Sequence, residues 1–279
     1  MTTLTNNIFT HIHPEIMPLT ALQREAMLQN IRQLSSMQPI TLAEMQQIRL
    51  MDRVDAKFVA SSSALPQLLT EMSPYFKVQQ TDGQRIAPYF TQYLDTPSFN
   101  MFVMHQNGKL NRQKIRIRTY VDSHLSFLEV KNKTQKGRTQ KVRVPVATPQ
   151  VISIEELHAS RTFLEQHSLF DSATLAPALT NRFHRITFVN LRHTERVTID
   201  LNLSFTNIAT SNRIALDNIM ILELKQDGRR HSDFRDILHR LRIHRMAFSK
   251  YCMGMALTDP NIKYNRFKSK CIIINKLSK

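Results

Sequence analysis

Arg112-Gln113-Lys114-Ile115-Arg116-Ile117-Arg118 decides how this chain is read. Its basic residues share one parity, and Ile115 and Ile117 take the other. The alternation returns twice: Glu129, Lys131 and Lys133 against Leu128 and Val130, then Lys141 and Arg143 against Val142 and Val144. In a β-strand, residues two apart point the same way. Each segment therefore reads as a strand with one apolar and one cationic face. Like charges set side by side across strands repel. An ordinary solvated face mixes signs, but Glu129 is the lone acid on this one. The cationic face calls for a polyanion.

Composition agrees. The chain has 279 residues, 42% hydrophobic and 22% charged, with a net charge of +16. That reads as a soluble, globular protein large enough for a real core. The charge is unevenly placed. Residues 105–145 hold 11 Lys/Arg against 2 Asp/Glu, and residues 225–279 hold 14 against 4. The stretches before and between are slightly acidic. Such concentration points to an anion site rather than a generally basic surface.

Other classes fall away. Cys252 and Cys271 are the only cysteines, with no CxxC pairing. That excludes a disulfide framework or thiolate metal site and makes a reducing, cytoplasmic compartment the default. Residues 1–13 lack the basic and apolar regions of a signal peptide. No apolar run approaches the ~20 residues of a membrane span. None of the five glycines stands in a GxGxxG or GxxxxGKS/T loop, which argues against phosphate cradling of that type.

The chain divides into a leader with one helix (1–40), one β-rich domain with peripheral helices (41–258) and a basic, weakly periodic tail (259–279). Leu22, Met27, Ile31 and Leu34 have helical spacing over 19–35. Thr41-Leu-Ala-Glu44 resembles a capping box. Strands are expected at 53–60, 75–79, 85–94, 182–190, 195–203 and 219–226, besides the three cationic ones. Helices are expected at 61–72, 98–105, 152–168, 232–241 and 249–257. Ser123-His124, Lys136-Gly137 and Asp227-Gly228 mark turns.

Four groups carry candidate chemistry. The cationic strands come first. Arg53-Val-Asp55-Ala-Lys57 puts its polar residues on one face, which equally describes a strand-edge ion pair. Glu223, in Ile221-Leu-Glu223-Leu-Lys225, is a carboxylate able to hold a hard divalent cation or to form a salt bridge; Asp200 is a similar case. Ser249 can cap the following helix, whose first N–H groups also favour phosphate, with Lys250 adding a point charge. The eleven histidines are scattered, without HExxH spacing.

Taken in order, these segments form a series: Arg53-x-Asp55-x-Lys57, Tyr93-Leu-Asp95-Thr-Pro97, Asn107-Gly-Lys109, Lys114-Ile-Arg116-Ile-Arg118-Thr-Tyr120, Phe127-Leu-Glu129-Val-Lys131, Lys141-Val-Arg143, Asn181-Arg-Phe-His-Arg185, Thr198-Ile-Asp200, Leu222-Glu223-Leu-Lys225 and Phe248-Ser-Lys250-Tyr251. The series resembles the VTC (vacuolar transporter chaperone) domain, the polyphosphate polymerase branch of the CYTH-like triphosphate tunnel metalloenzymes, over roughly Leu42 to Leu257. The resemblance implies an α+β fold: a closed antiparallel β-barrel tunnel lined by Lys and Arg, with helices packed outside. It implies transfer of the γ-phosphoryl group of ATP to inorganic polyphosphate, with Mn²⁺ or Mg²⁺. Lys57, Arg116, Arg118, Lys131, Arg185 and Lys250 would be catalytic. Arg53, Lys109, Lys114, Lys133, Lys141, Arg143 and Ser249 would bind substrate. Glu223 would hold the metal, with Glu129 and Asp200 as metal ligands or as groups that orient the cations.

Two departures stand out. The wider superfamily begins Glu-x-Glu-x-Lys, where this chain has Arg53 and Asp55, which favours the polymerase-like branch. Asn202 stands where related domains often carry Asp, leaving one main metal site. A triphosphatase uses the same parts, and a non-catalytic polyphosphate- or nucleotide-binding module remains open. The membrane-anchoring and inositol-phosphate-sensing domains of the eukaryotic relatives are absent from this sequence, so membrane coupling would require a membrane-protein partner. No RNP-type or zinc-finger motif is present, and a narrow tunnel would exclude a duplex; no nucleic-acid partner is expected.

Overall fold

Alternation becomes strand where the sequence demands it. In the computed structural model the cationic segments are β5 (Arg112–Tyr120), β6 (Leu125–Lys133) and β7 (Thr139–Val146). The structure describes residues 32–48, 53–134, 139–147, 160–228 and 231–278. Most of the helix expected over 19–35, the Lys136-Gly137 turn and the start of the helix expected over 152–168 lie outside the described residues. The other strands are β1 (Pro39–Thr41), β2 (Arg53–Ser61), β3 (Phe76–Gln80), β4 (Ala87–Asp95), β8 (Ala176–Asn190), β9 (Glu195–Asn207), β10 (Arg213–Leu216) and β11 (Ile219–Asp227).

The main sheet runs β2-β11-β9-β8-β4-β5-β6-β7, with β10 beside β9 and β3 between β8 and β1. All pairs are antiparallel except β1–β3. The expectation of a closed barrel is corrected here. Among the described residues no ladder joins β2 to β7, so the sheet has two edges. Pro145 gives a physical reason, because a proline in β7 has no N–H to donate to a ladder and belongs on an edge strand. Lys57 on one edge and Lys141 and Arg143 on the other add like charge. The sheet nonetheless curls strongly: Lys131 of β6 interacts electrostatically with Lys57 and Asp55 of β2 and with Glu223 of β11 across the concavity.

The convex face holds much of the apolar core. Phe58, Ile186, Phe188, Val197, Ile199, Leu222 and Leu224 pack with Leu65, Leu68, Leu69 and Met72 of helix Leu65–Met72 and with Phe234, Ile237 and Leu238 of helix Asp233–Arg240. At the other half, Ile115, Ile117, Leu128 and Val130 join Leu164 of helix Arg161–His167. Buried Gln113 ties that helix down, donating to His167 O (2.9 Å) and accepting from Leu169 N (3.0 Å). The Thr41–Glu44 capping box forms as read, opening helix Leu42–Gln47.

Helix Lys250–Thr258 lies inside the curl and closes one end. Tyr251 to Ala256 are buried. Gly254 sits so near the sheet that an added Cβ would meet Leu179 at 2.4 Å and Phe205 at 2.6 Å. The basic tail is also corrected: helix Lys268–Leu277 follows a 3₁₀ turn, and Phe267, Cys271 and Ile274 are buried. Their i, i+4, i+7 spacing is helical, but lysines between them obscure it. Among the described residues no helix is long and apolar enough to cross a membrane.

Candidate functional site

The concave face carries the charge. Lys57 and Asp55 of β2 stand opposite Glu223 and Lys225 of β11. Thr198 and Asp200 of β9 follow, then Arg185 of β8, opposite Asp200. Across the curl lie Lys114, Arg116 and Arg118 of β5, opposite Lys131, Glu129 and Phe127 of β6, with Lys141 and Arg143 of β7 beyond.

Two buried carboxylates organise the cations. Asp200 takes a bidentate pair from Arg185 (Nε 2.6 Å, Nη2 2.8 Å) and a hydrogen bond from Lys250 Nζ. Against the cost of burial, Arg185 and Lys250 hold its carboxyl well below the usual range. Glu129 accepts from Arg116 (Nε 2.8 Å) and pairs with Lys141. Against burial, Arg116, Arg118 and Lys141 hold it down at about 2.

The third carboxylate is more open. Glu223 lies 3.6 Å from Lys57 and 3.4 Å from Lys225, beyond ordinary hydrogen-bond length. It stays ionised because, against burial, Lys57 and Lys225 hold its pKa well below the usual range. Among the described residues no group of three His, Cys, Asp or Glu converges as a metal cage.

Among the described residues, Arg118, Lys114 and Lys131 form no close ion pair with a carboxylate. Arg118 is buried, and its Nε has no hydrogen-bond partner. Burial, with Arg116 and Arg185 nearby, pushes it down to about 10. Burial and neighbouring cations bring Lys114 and Lys131 each down to about 8. Lys131 is open to water yet crowded by Arg116 and Lys57. Lys250 is pushed by burial to about 7, against the pull of Asp200. Lys114 Nζ donates instead to Ser249 Oγ (2.7 Å), the N-cap of helix Lys250–Thr258. That helix start thus opens into the concavity.

The structure brings together Lys57, Lys114, Arg116, Arg118, Lys131, Lys141, Arg185, Ser249, Lys250, Glu129, Asp200 and Glu223. Arg143 stands on the same face but is exposed, its guanidinium over Phe127 at 4.4 Å. Lys133 lies at the far end of β6, opposite Arg112. Lys109 is not brought in: it sits in the exposed loop before β5, where its carbonyl accepts from Arg112. Arg53 opens β2 opposite Asp227; its side chain lies outside the described residues.

Sequence reasoning gave no role to Asp95, Lys225, Tyr89 or Phe183. Buried Asp95 accepts from the N–H groups of Thr96, Met101 and Phe102 and from Tyr251 Oη (2.5 Å). It thereby fastens the inner helix to the wall. Tyr89 and Phe183 stack at 5.1 Å on the concave face, with Arg185 over both rings. Their signal in sequence was only parity with Arg185 and Tyr93.

The VTC domain family matches residues 52–258. The chain belongs to the VTC domain family. No match was found among curated proteins. Solved structures similar to this VTC domain include a candidate adenylate cyclase from Bacillus halodurans, 13% identical, covering 71% of this chain and 94% of its own, with a TM-score of 0.46. Another is a candidate adenylyl cyclase from Hippeastrum described as having a dominant triphosphatase activity; it is 13% identical and covers 77% of this chain and 100% of its own, with a TM-score of 0.47.

Proposed function

We propose that this VTC domain is a metal-dependent polyphosphate polymerase that moves the γ-phosphoryl group of ATP onto inorganic polyphosphate. The observation that carries the reading is buried Arg118, whose Nε is unpartnered among cations whose pKa values are pushed down. A bound chain of phosphates supplies the missing charge. Phosphoryl transfer asks mainly for positioning and charge stabilisation. Lys57, Arg116, Arg118, Lys131, Arg185 and Lys250 surround the transferred group, while Lys114, Lys141, Arg143 and Ser249 hold the flanking phosphates. Glu129 and Asp200 orient the cations. The attacking phosphate is already ionised, so no general base is required.

Glu223 fits a Mn²⁺ or Mg²⁺ ion. It is an ionised oxygen donor without a close hydrogen bond, and such ions are commonly held by one or two carboxylates plus substrate phosphates. When bound, the ion supplies Lewis-acid neutralisation of phosphate oxygens. The test is incubation with ATP and Mn²⁺, with and without a short polyphosphate primer, followed by a polyphosphate-stained gel. A ladder that grows with time and disappears in Glu223→Ala supports the polymerase. Free phosphate without a ladder replaces it by a triphosphatase. Binding of polyphosphate without turnover under either metal replaces it by a binding module.

A further inference from the structure

The end of the concavity opposite helix Lys250–Thr258 has a different surface. Tyr89, Tyr120 and Phe127 stand there on the charged side of the sheet, each half-buried. Tyr89 lies opposite Tyr120, and Phe127 opposite Arg118. The rings form a connected set: Tyr89–Tyr120 at 5.1 Å and Tyr120–Phe127 at 6.0 Å, edge to face. The apolar core takes the opposite parity of β5 and β6, so Tyr120 and Phe127 stand on the face away from it, whereas Tyr89 of β4 packs against the core. Tyr89 has a visible structural task, since Arg118 and Arg185 lie over it. Among the described residues no cation lies over Tyr120.

We propose that Tyr120 and Phe127, backed by Tyr89, form a platform for the base of a nucleoside triphosphate whose phosphates enter the tunnel first. This rests on the phosphate-binding reading of the tunnel. Tyr120 is two residues outward from Arg118, about 6.8 Å along an antiparallel strand, room for a ribose between ring and phosphate. The face of Phe127 already holds one cationic group, with Arg143 Cζ 4.4 Å from the ring centroid. Stacking asks only for a π-face, so the platform accepts purine bases without reading their edges.

Titration calorimetry with ATP, GTP and inorganic tripolyphosphate tests it. Tyr120→Ala is expected to weaken ATP and GTP alike, by about tenfold, while tripolyphosphate stays within about twofold. Tyr120→Leu, which keeps apolar bulk but no π-face, behaves as the alanine variant; Tyr120→Phe retains wild-type affinity. Retained tripolyphosphate binding shows that each variant is folded. Unchanged ATP affinity in Tyr120→Ala, or equal loss of ATP and tripolyphosphate, overturns the platform and leaves the tunnel reading standing. A wild-type protein that binds none of the three overturns the tunnel reading itself.

Discussion

The two walls of the concavity hold their cations differently. On the β8–β9 wall, Arg185 and Lys250 converge on one buried Asp200. On the β5–β6 wall, Arg116 is paired with Glu129, but among the described residues its neighbours Arg118 and Lys114, and the water-exposed Lys131, form no ion pair with a carboxylate. A paired cation is held in place and partly neutralised. An unpaired one carries the unfavourable energy of burial until an anion arrives. On the proposed function, the first wall is thus a fixed frame and the second is where a bound polyanion would release binding energy.

The sharpest way to break this contrast is Asp200→Ala. It strands Arg185 and Lys250 together, and removing one partner of a buried pair costs about 3–5 kcal/mol. The melting temperature should fall by roughly 10 °C, and tripolyphosphate should restore part of it by replacing the lost charge. A melt within two degrees of wild type would show that Asp200 is no anchor. Arg118→Met should do the reverse. Replacing an unpaired buried charge by an apolar side chain leaves the free protein as stable or more so. Tripolyphosphate affinity should drop roughly ten- to hundredfold, the value of a charge-assisted hydrogen bond. Destabilisation of the free protein without loss of affinity would place Arg118 in the frame instead.

This division explains which parts of the molecule were legible in sequence. Parity on β5, β6, β7, β2 and β11 placed most of the cations on one face, because each strand is regular. It failed on β9. Thr198 and Asp200 face the concavity, but so do Leu203 and Phe205, which join the core around helix Lys250–Thr258, Phe205 lying against Gly254. The parity flips because the β8–β9 register shifts near Arg182/His184, and Asn202 adopts a left-handed φ of 50°. Asn tolerates that conformation better than most residues, so Asn202 marks a bulge as well as a lost carboxylate. The pairing of Asp200 with Lys250, fifty residues on, had no local signature. Nor did the open edge, although Pro145 was a clue. The C-terminal helix was hidden because only Cys271 and Ile274 are buried on it, beside Phe267 of the preceding turn, with lysines set among them.

A smaller effect separates frame from binding wall at the helix start. Ser249 Oγ caps Cys252 N at 3.3 Å and accepts from Lys114 at 2.7 Å. Ser249→Ala should cost about 1 kcal/mol as a lost cap, seen as a modest shift in a denaturant midpoint. It should also weaken tripolyphosphate binding, because Lys114 loses the contact that aims it. A stability loss with unchanged affinity would confine Ser249 to the frame.

The smallest effect is a fraction of a proton, read from two lysines of the unpaired wall and from Lys250 of the frame, which keeps a lowered pKa despite Asp200. Lys114 and Lys131, at about 8, and Lys250, at about 7, are charged below those values and neutral above them. A polyanion favours the charged forms, so binding raises all three pKa values. At pH 8, complex formation must therefore take up protons from solution. Affinity should be greatest below about pH 7 and fall as pH rises through 8, the sign set by lysines depressed in the free protein. Calorimetry at pH 8 in two buffers of different ionisation enthalpy measures the uptake. In Lys131→Met the uptake should shrink, whereas Lys133→Met, at the far end of the same strand, should leave it near the wild-type value. Heats independent of buffer would mean that these ammonium groups are already fully charged, and the absence of a carboxylate partner at Lys114 and Lys131 would then have no electrostatic consequence.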